Sequence, residues 1–110
     1  MASMVSDLNA LAETVLAEAR DSKRGRASHS LSHGDRLTVT LIGLTAGQSL
    51  GEHNAPPAAT LQLLQGRATL RTRADSEELA AGHMVPIPRV RHDLVAAEDT
   101  VALLTVALDG

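Results

Sequence analysis

Five histidines are the side chains of this sequence best suited to bind a metal ion or to transfer a proton near neutral pH. The sequence has no cysteine, which excludes disulfides and thiolate ligands. It contains no HxH or HExxH pattern, so local spacing predicts no metal site. We expect His29, His33 and His83 to be solvated. His53 and His92 differ, because each lies beside a proline-containing turn at one end of a predicted strand.

These two histidines lie in stretches of similar design. Residues 47–66 read GQSLGEHNAPPAATLQLLQG, and residues 82–92 read GHMVPIPRVRH, so each stretch combines a glycine, a proline turn and a histidine. Strand alternation places His92 on the same face as Leu94. Two interpretations remain open: each histidine is a partly buried side chain that is hydrogen-bonded within the protein, or both histidines point into one pocket.

The pattern of apolar residues predicts the elements that hold these histidines. Apolar residues recur at spacings of three and four over residues 4–20, which is typical of an amphipathic helix that a serine could cap. We expect this helix to cover an open edge of a sheet, and its apolar stripe is also a candidate contact with a partner subunit. Residues 21–26 are a polar linker.

From about residue 27 onward the chain is expected to consist of short strands and turns. About eight or nine strands with turns every 8 to 12 residues predict an antiparallel sandwich or barrel. The run 100–108 is rich in Leu and Ala, but its length and the turn before it favour a strand. The predicted strands are 36–44, 49–53, 60–65, 67–73, a short one near Glu78, 84–87, 92–96 and 100–108.

The composition limits what the protein binds. Its 110 residues form one domain, 1–110, with a formal net charge of −3. There is no Phe, Tyr or Trp, so the core must be aliphatic and no aromatic side chain can stack on bases. No apolar run approaches the roughly 20 residues of a membrane span, and no secretory signal is evident. We therefore expect a cytoplasmic protein with neither nucleic-acid nor membrane partners.

The two histidine stretches resemble the two sequence motifs of the cupin superfamily. In the first motif, Gly47, His53 and Gly66 fall at matching positions. Ala55 and Ala59 occupy the positions where the family has a second His and a Glu. The frame of the motif is therefore present without two of its three usual metal ligands.

The second motif is matched by Gly82, Pro88 and His92, with a turn that is one residue shorter and with Ala96 in place of an Asn. The resemblance covers roughly residues 37–108. It implies an all-β fold, namely an antiparallel double-sheet (jelly-roll) cupin barrel over residues 27–110, preceded by one N-terminal amphipathic helix over residues 4–20.

The resemblance also implies what the barrel could hold. A metal in a cupin is usually bound by three His and one Glu, and only His53 and His92 remain here, so no cofactor is certain and at most a divalent metal is weakly held. Alternation places Leu61 and Leu63 on the inward face of their strand, and with Leu94 they would line an apolar pocket. The same side chains would equally suit a packed core.

Three functions are compatible with these residues, and none of them names a substrate or a reaction. The first is a small-molecule-binding barrel in which His53 and His92 face the apolar pocket. The second is a metal-dependent cupin enzyme of the dioxygenase or isomerase type with a reduced ligand set. The third is a structural barrel with a vestigial pocket. The resemblance further implies a homodimer, because small cupins commonly pair through sheet edges.

Overall fold

A computed structural model of the chain describes residues 5–51 and 58–108. Within these ranges one helix precedes eight strands. The elements are α1 (Leu8–Asp21), β1 (Arg26–His33), β2 (Leu37–Leu44), β3 (Ala58–Gln65), β4 (Arg67–Arg71), β5 (Ser76–Ala80), β6 (Met84–Pro86), β7 (Asp93–Ala96) and β8 (Thr100–Ala107). Over the same ranges no helix is both long enough and apolar enough to cross a membrane.

The strands form two antiparallel sheets, which confirms the predicted double-sheet class. The larger sheet has the order β1-β2-β8-β3-β6, and the smaller sheet has the order β5-β4-β7. Residues 47–50 run beside β7: the Leu50 N–H donates to the Leu94 carbonyl at 3.0 Å, and Ser49 forms a bridge with Val95. The start of the first histidine stretch therefore lies next to β7, the strand that directly follows the second stretch.

Most predicted strands agree with the observed ones to within two residues. The strand predicted over 49–53 is wrong in extent, because its first part makes only the isolated bridge and residues 52–53 lie outside the described ranges. The strand predicted over 67–73 ends at Arg71. The first predicted strand begins at residue 36, but residues 26–33 also form a full strand, which pairs with β2.

Helix α1 begins later than its apolar pattern predicts. Its first residue is Leu8, and the Asp7 side chain caps it by accepting hydrogen bonds from two backbone N–H groups of the first turn. Val5, which the predicted range 4–20 includes, is 85 % exposed. The cap therefore determines where the helix starts, and it is an aspartate rather than a serine.

The helix packs on a face of the larger sheet, across β1, β2 and β8, rather than along an open edge. Val15 is fully buried there and belongs to one apolar cluster with Leu41 and Val101. Gly43 permits the close approach, because a Cβ at this position would lie 2.8 Å from the Val15 carbonyl oxygen. The buried part of the apolar stripe is thus covered by the chain's own sheet, and a contact of the stripe with a partner subunit stays a prediction.

The larger sheet is consequently buried on both faces at β2 and β8. Leu41 and Val101 belong to the cluster beneath α1, whereas Ile42 and Ala102 belong to the core between the two sheets. A strand that is covered on both faces carries an almost continuous apolar run. This explains the composition of residues 100–108, whose assignment to a strand is confirmed.

Asp99, in the turn between β7 and β8, connects the helix to the sheets. Its Oδ2 accepts hydrogen bonds from Arg20, the shorter at 2.8 Å, and its Oδ1 accepts the Ala46 N–H at 3.0 Å. The backbone hydrogen bond from Ala46 and then the hydrogen bond from Arg20 hold the pKa of Asp99 below its usual value of 3.8. Three segments that are distant in sequence therefore meet at one carboxylate.

Candidate functional site

A cavity of about 270 Å³ lies between the two sheets. Both sheets contribute to it, since Leu61 lies on β3 and Leu94 lies on β7. Among the described lining residues, His92 alone has a side chain that can form hydrogen bonds. The other lining residues are nine aliphatic ones: Ile42, Leu50, Ala59, Leu61, Leu70, Ile87, Leu94, Leu104 and Val106.

Strand alternation along β3 decides which residues reach the cavity. Ala59 and Leu61 line it, while Thr60 and Gln62 between and after them are exposed. Leu63 is also predicted to line the pocket, but it lies outside the cavity lining. Its side chain is fully buried in the core between the sheets. The interior therefore contains both arrangements considered from the sequence, an apolar cavity at one end and a packed core beyond it.

His92 is partly buried at the cavity, and Val90 sets its ring orientation. The Nδ1 atom of His92 lies 3.0 Å from the Val90 carbonyl oxygen. A carbonyl oxygen can only accept a hydrogen bond, so Nδ1 carries the proton in this contact. In the neutral ring the lone pair is then on Nε2, which is the atom that would accept a hydrogen bond or bind a metal ion.

The described walls of the cavity do not fit a firmly held metal ion. His53, the second predicted ligand, and Ala55 lie outside the ranges that the structure describes. Ala59, at the position where the resemblance implies a Glu, contributes only a methyl group to the cavity. Nowhere in residues 5–51 and 58–108 do three or more His, Asp or Glu side chains group as a metal site.

The other three histidines do not line the cavity. His29 is not simply solvated as predicted, because its Nε2 lies 2.9 Å from Glu18 Oε1 and thereby joins β1 to α1. The Nδ1 atom of His83 accepts the Ala80 N–H at 3.0 Å, which fixes the turn between β5 and β6. His33 is exposed, as expected.

A polar cleft of about 480 Å³ shares His92 with the cavity. We call it the arginine cleft, and its lining residues are Arg71, Thr72, Arg73, Arg91, His92 and Asp93. Arg91 lies far from Arg71 and Arg73 in sequence, and the pairing of β4 with β7 brings these parts of the chain together, with Arg71 opposite Asp93. Spacing alone does not predict this cleft, since it depends on which strands are neighbours in the smaller sheet.

The described residues that line the arginine cleft include three guanidinium groups and one carboxylate. The Nη2 of Arg71 lies 3.6 Å from Asp93 Oδ2, which is an ion pair but too long for a hydrogen bond. The other carboxylate oxygen, Asp93 Oδ1, is buried and has no hydrogen-bond partner in the described part of the chain.

Comparisons with known proteins find similarity in structure only. No protein-family model matches the sequence, and no curated protein matches it. A conserved protein of unknown function from Streptococcus pyogenes is 27 % identical over 81 % of this chain and 79 % of that chain, with a TM-score of 0.73. A cupin-2 domain protein from Shewanella frigidimarina is 15 % identical over 94 % of this chain and 95 % of that chain, with a TM-score of 0.74.

This chain has the cupin fold. The same fold also occurs within a larger enzyme: a mutant of salicylate 1,2-dioxygenase from Pseudoaminobacter salicylatoxidans is 18 % identical, with 90 % of this chain and 32 % of that chain covered and a TM-score of 0.73. The resemblance inferred from the two motifs is thereby confirmed for the fold. Because one fold can carry many activities, the fold assigns none to this chain.

The backbone of this chain favours glycine at the three motif glycines that it keeps. Gly47, Gly66 and Gly82 all adopt positive φ, between 83° and 89°. Residues with a Cβ rarely adopt this conformation, so glycine is favoured at each of these turns. The motif glycines therefore report on the fold, whereas Ala59 and His92 determine the chemistry of the cavity.

Proposed function

We propose that this cupin binds a small molecule with an apolar body in the cavity between its two sheets. The observation that carries the proposal is the cavity itself, with about 270 Å³ of space, nine aliphatic walls and His92. Apolar walls with a few polar groups are typical of sites for small ligands. Burial of the apolar body would supply most of the binding free energy, and the polar group would orient the ligand.

The size of the cavity supports a ligand rather than a packed core. Packed interiors leave few voids that are larger than a water molecule. A cavity of about 150 Å³ already accommodates benzene, and ligand pockets begin near about 300 Å³. A space of about 270 Å³ therefore suits a molecule of one or two rings or a short branched chain.

His92 is the polar group of the proposed site. Because its Nδ1 donates to the Val90 carbonyl, the Nε2 of the neutral ring is the acceptor, and it suits a ligand O–H or N–H. His53 remains the second predicted polar group of the same pocket. Leu61 and Leu94 are the predicted wall residues whose positions at the cavity support this assignment.

A metal-dependent enzyme, the second function considered from the sequence, has less support. The similarity to a dioxygenase is one of fold, and Ala59 supplies no carboxylate. We therefore propose at most a weakly held divalent ion at His53 and His92, and we derive no reaction from it. The homodimer and the cytoplasmic location stay predictions.

A fluorescence titration tests the proposal, because the protein has no aromatic residue to obscure the signal of a naphthalene probe. The neutral probe 2-naphthalenemethanol should bind the wild-type chain saturably. Ala59→Phe places a ring in the cavity and should weaken binding by about tenfold or more, since the probe would lose apolar contact area. Ala58→Phe is the matched control, because Ala58 is the exposed neighbour on the same strand.

Far-UV circular dichroism establishes that both variants fold. If the Ala59→Phe variant does not, Ala59→Met takes its place, because methionine fills irregular gaps with less strain. Equal binding by the variants at residues 58 and 59 would place the probe outside the cavity. If the wild-type chain binds neither this alcohol nor the corresponding acid, the proposal is overturned and the structural barrel is favoured.

A further inference from the structure

A groove of about 400 Å³ adjoins the cavity along β1 and β2. We call it the β1 groove, and its lining residues are Arg26, Ala27, Ser28, Thr40, Ile42 and Leu50. Ile42 and Leu50 also line the cavity, so the two spaces meet at these side chains. The β1 groove is therefore next to the apolar cavity, and its other lining residues are largely polar.

The strand register places the hydroxyl groups of the β1 groove on the same face of the larger sheet as the cavity. Thr40 lies two residues from Ile42 on β2, so their side chains point to the same face. Ser28 is paired with Ile42 across β1 and β2, and side chains of paired residues share a face. Ile42 belongs to the core between the two sheets. Ser28 and Thr40 are therefore on the side of the sheet that carries the cavity, not on the side that carries α1.

The β1 groove offers hydrogen-bond donors that the described part of the chain does not use. The Arg26 side chain makes one hydrogen bond there, from Nη1 to the Leu50 carbonyl oxygen at 2.7 Å, and a guanidinium has several further N–H groups. The hydroxyls of Ser28 and Thr40 make no hydrogen bond within residues 5–51 and 58–108. No carboxylate is among the described residues that line the groove. These donors suit a ligand group that carries acceptor oxygens, such as an ester or a carboxylate.

We infer that the ligand of this protein is an amphipathic acyl compound, with its apolar body in the cavity and its acyl oxygens in the β1 groove. The inference rests on the proposed function, because it needs the cavity to hold the body of the ligand. It adds the class of ligand and assigns Arg26, Ser28 and Thr40 to the binding of its oxygens.

Two neutral fluorescent probes with the same ring system test the inference. Methyl 2-naphthoate carries acyl oxygens, whereas 2-isopropylnaphthalene has a substituent of similar shape without oxygen. The probes differ in hydrophobicity, so the quantity compared is the change in the Kd of each probe on substitution. Thr40→Val removes a hydroxyl with little change in shape and should weaken ester binding about two- to tenfold, as expected for the loss of one hydrogen bond. It should not weaken binding of the hydrocarbon, and Ser28→Ala should act in the same way.

Thr105→Val and Ser32→Ala are the matched controls. Thr105 and Ser32 both pair with Val39, whose side chain points to the opposite face of the sheet from that of Thr40. These variants remove the same hydroxyl groups outside the β1 groove and should change the binding of neither probe. Arg26→Gln should also weaken ester binding, but it removes the hydrogen bond to Leu50 as well. The two hydroxyl variants therefore decide the test.

The outcomes separate this inference from the proposed function. If both probes bind and neither Thr40→Val nor Ser28→Ala weakens ester binding, the inference is overturned while the cavity proposal stands. If these variants weaken the binding of both probes equally, or if the control variants weaken ester binding as much, hydrogen bonds in the β1 groove are not responsible and the inference is again overturned. If neither the ester nor the hydrocarbon binds the wild-type chain, both proposals fail together.

Discussion

Replacing Gly66 with alanine should destabilise this protein more than the same replacement at Gly47. Both glycines adopt positive φ, 88° at Gly66 and 83° at Gly47. Their surroundings differ, because a Cβ at Gly66 would lie 2.3 Å from the Asp99 carbonyl oxygen and 2.9 Å from the Thr100 Cα. A Cβ at Gly47 would have no atom within 4 Å apart from its chain neighbours. The pair therefore separates the cost of backbone conformation from the cost of a steric clash.

The expected decreases in the free energy of unfolding follow from the cost of the backbone conformation and the cost of the steric clash. A residue with a Cβ pays roughly 1–2 kcal/mol for the left-handed conformation, and this is the whole cost expected for Gly47→Ala. At Gly66 the backbone of the turn between β7 and β8 must also move, since two of the three nearest atoms, the Asp99 carbonyl oxygen and the Thr100 Cα, belong to the backbone. Overpacking of this kind adds about 1–3 kcal/mol. We therefore expect Gly66→Ala to lower the free energy of unfolding by about 2–5 kcal/mol.

Urea denaturation followed by far-UV circular dichroism measures the difference, since the chain has no tryptophan to report unfolding by fluorescence. The midpoint should fall for both variants and fall further for Gly66→Ala, with the slope m unchanged. Gly82→Ala is a second control, because Gly82 has a φ of 89° and open space around its Cβ position. Coincident midpoints for Gly66→Ala and Gly47→Ala would refute the steric argument.

Two further predictions concern charge and metal. The folded-state pKa of Asp99 lies below its usual value of 3.8, so its contribution to stability is present above that pH and is lost as the pH falls through the lowered pKa. Asp99→Asn should therefore reduce the acid-induced loss of stability, by less than about 1 kcal/mol because the carboxylate is partly solvated, and identical pH profiles of stability for wild type and variant would contradict this. Elemental analysis of the purified protein should find less than one Fe, Mn, Ni or Zn ion per chain, whereas a stoichiometric ion that is lost in a His53→Ala, His92→Ala variant would contradict the weak site.

Local alternation in the sequence predicts which residues face inward. Because side chains alternate along a strand, the residues of one strand that share a face can be identified from the sequence. Leu61, Leu63 and Leu94, which are predicted to face inward, are all buried. The glycines of the motifs are equally predictable, because a turn with positive φ requires a residue type that is visible in the sequence. These local rules are sufficient for the two-sheet architecture.

Other features depend on packing between parts of the chain that are distant in sequence, and strand alternation does not predict them. Leu61 and Leu63 both belong to the core between the sheets, yet only Leu61 also lines the cavity. The arginine cleft likewise depends on β7 lying beside β4, which places Arg71 opposite Asp93. The start of α1 is a further example, since the reach of the Asp7 side chain to the first turn decides it.

Ala59 connects the loss of a metal ligand to the presence of an apolar cavity. Alternation along β3 directs residue 59 to the cavity, whatever its type. The resemblance to the cupin motif implies a glutamate here, which would supply a negative charge and fill part of the space. Alanine supplies neither, so the same residue removes the carboxylate that a divalent ion needs and leaves room for an apolar group.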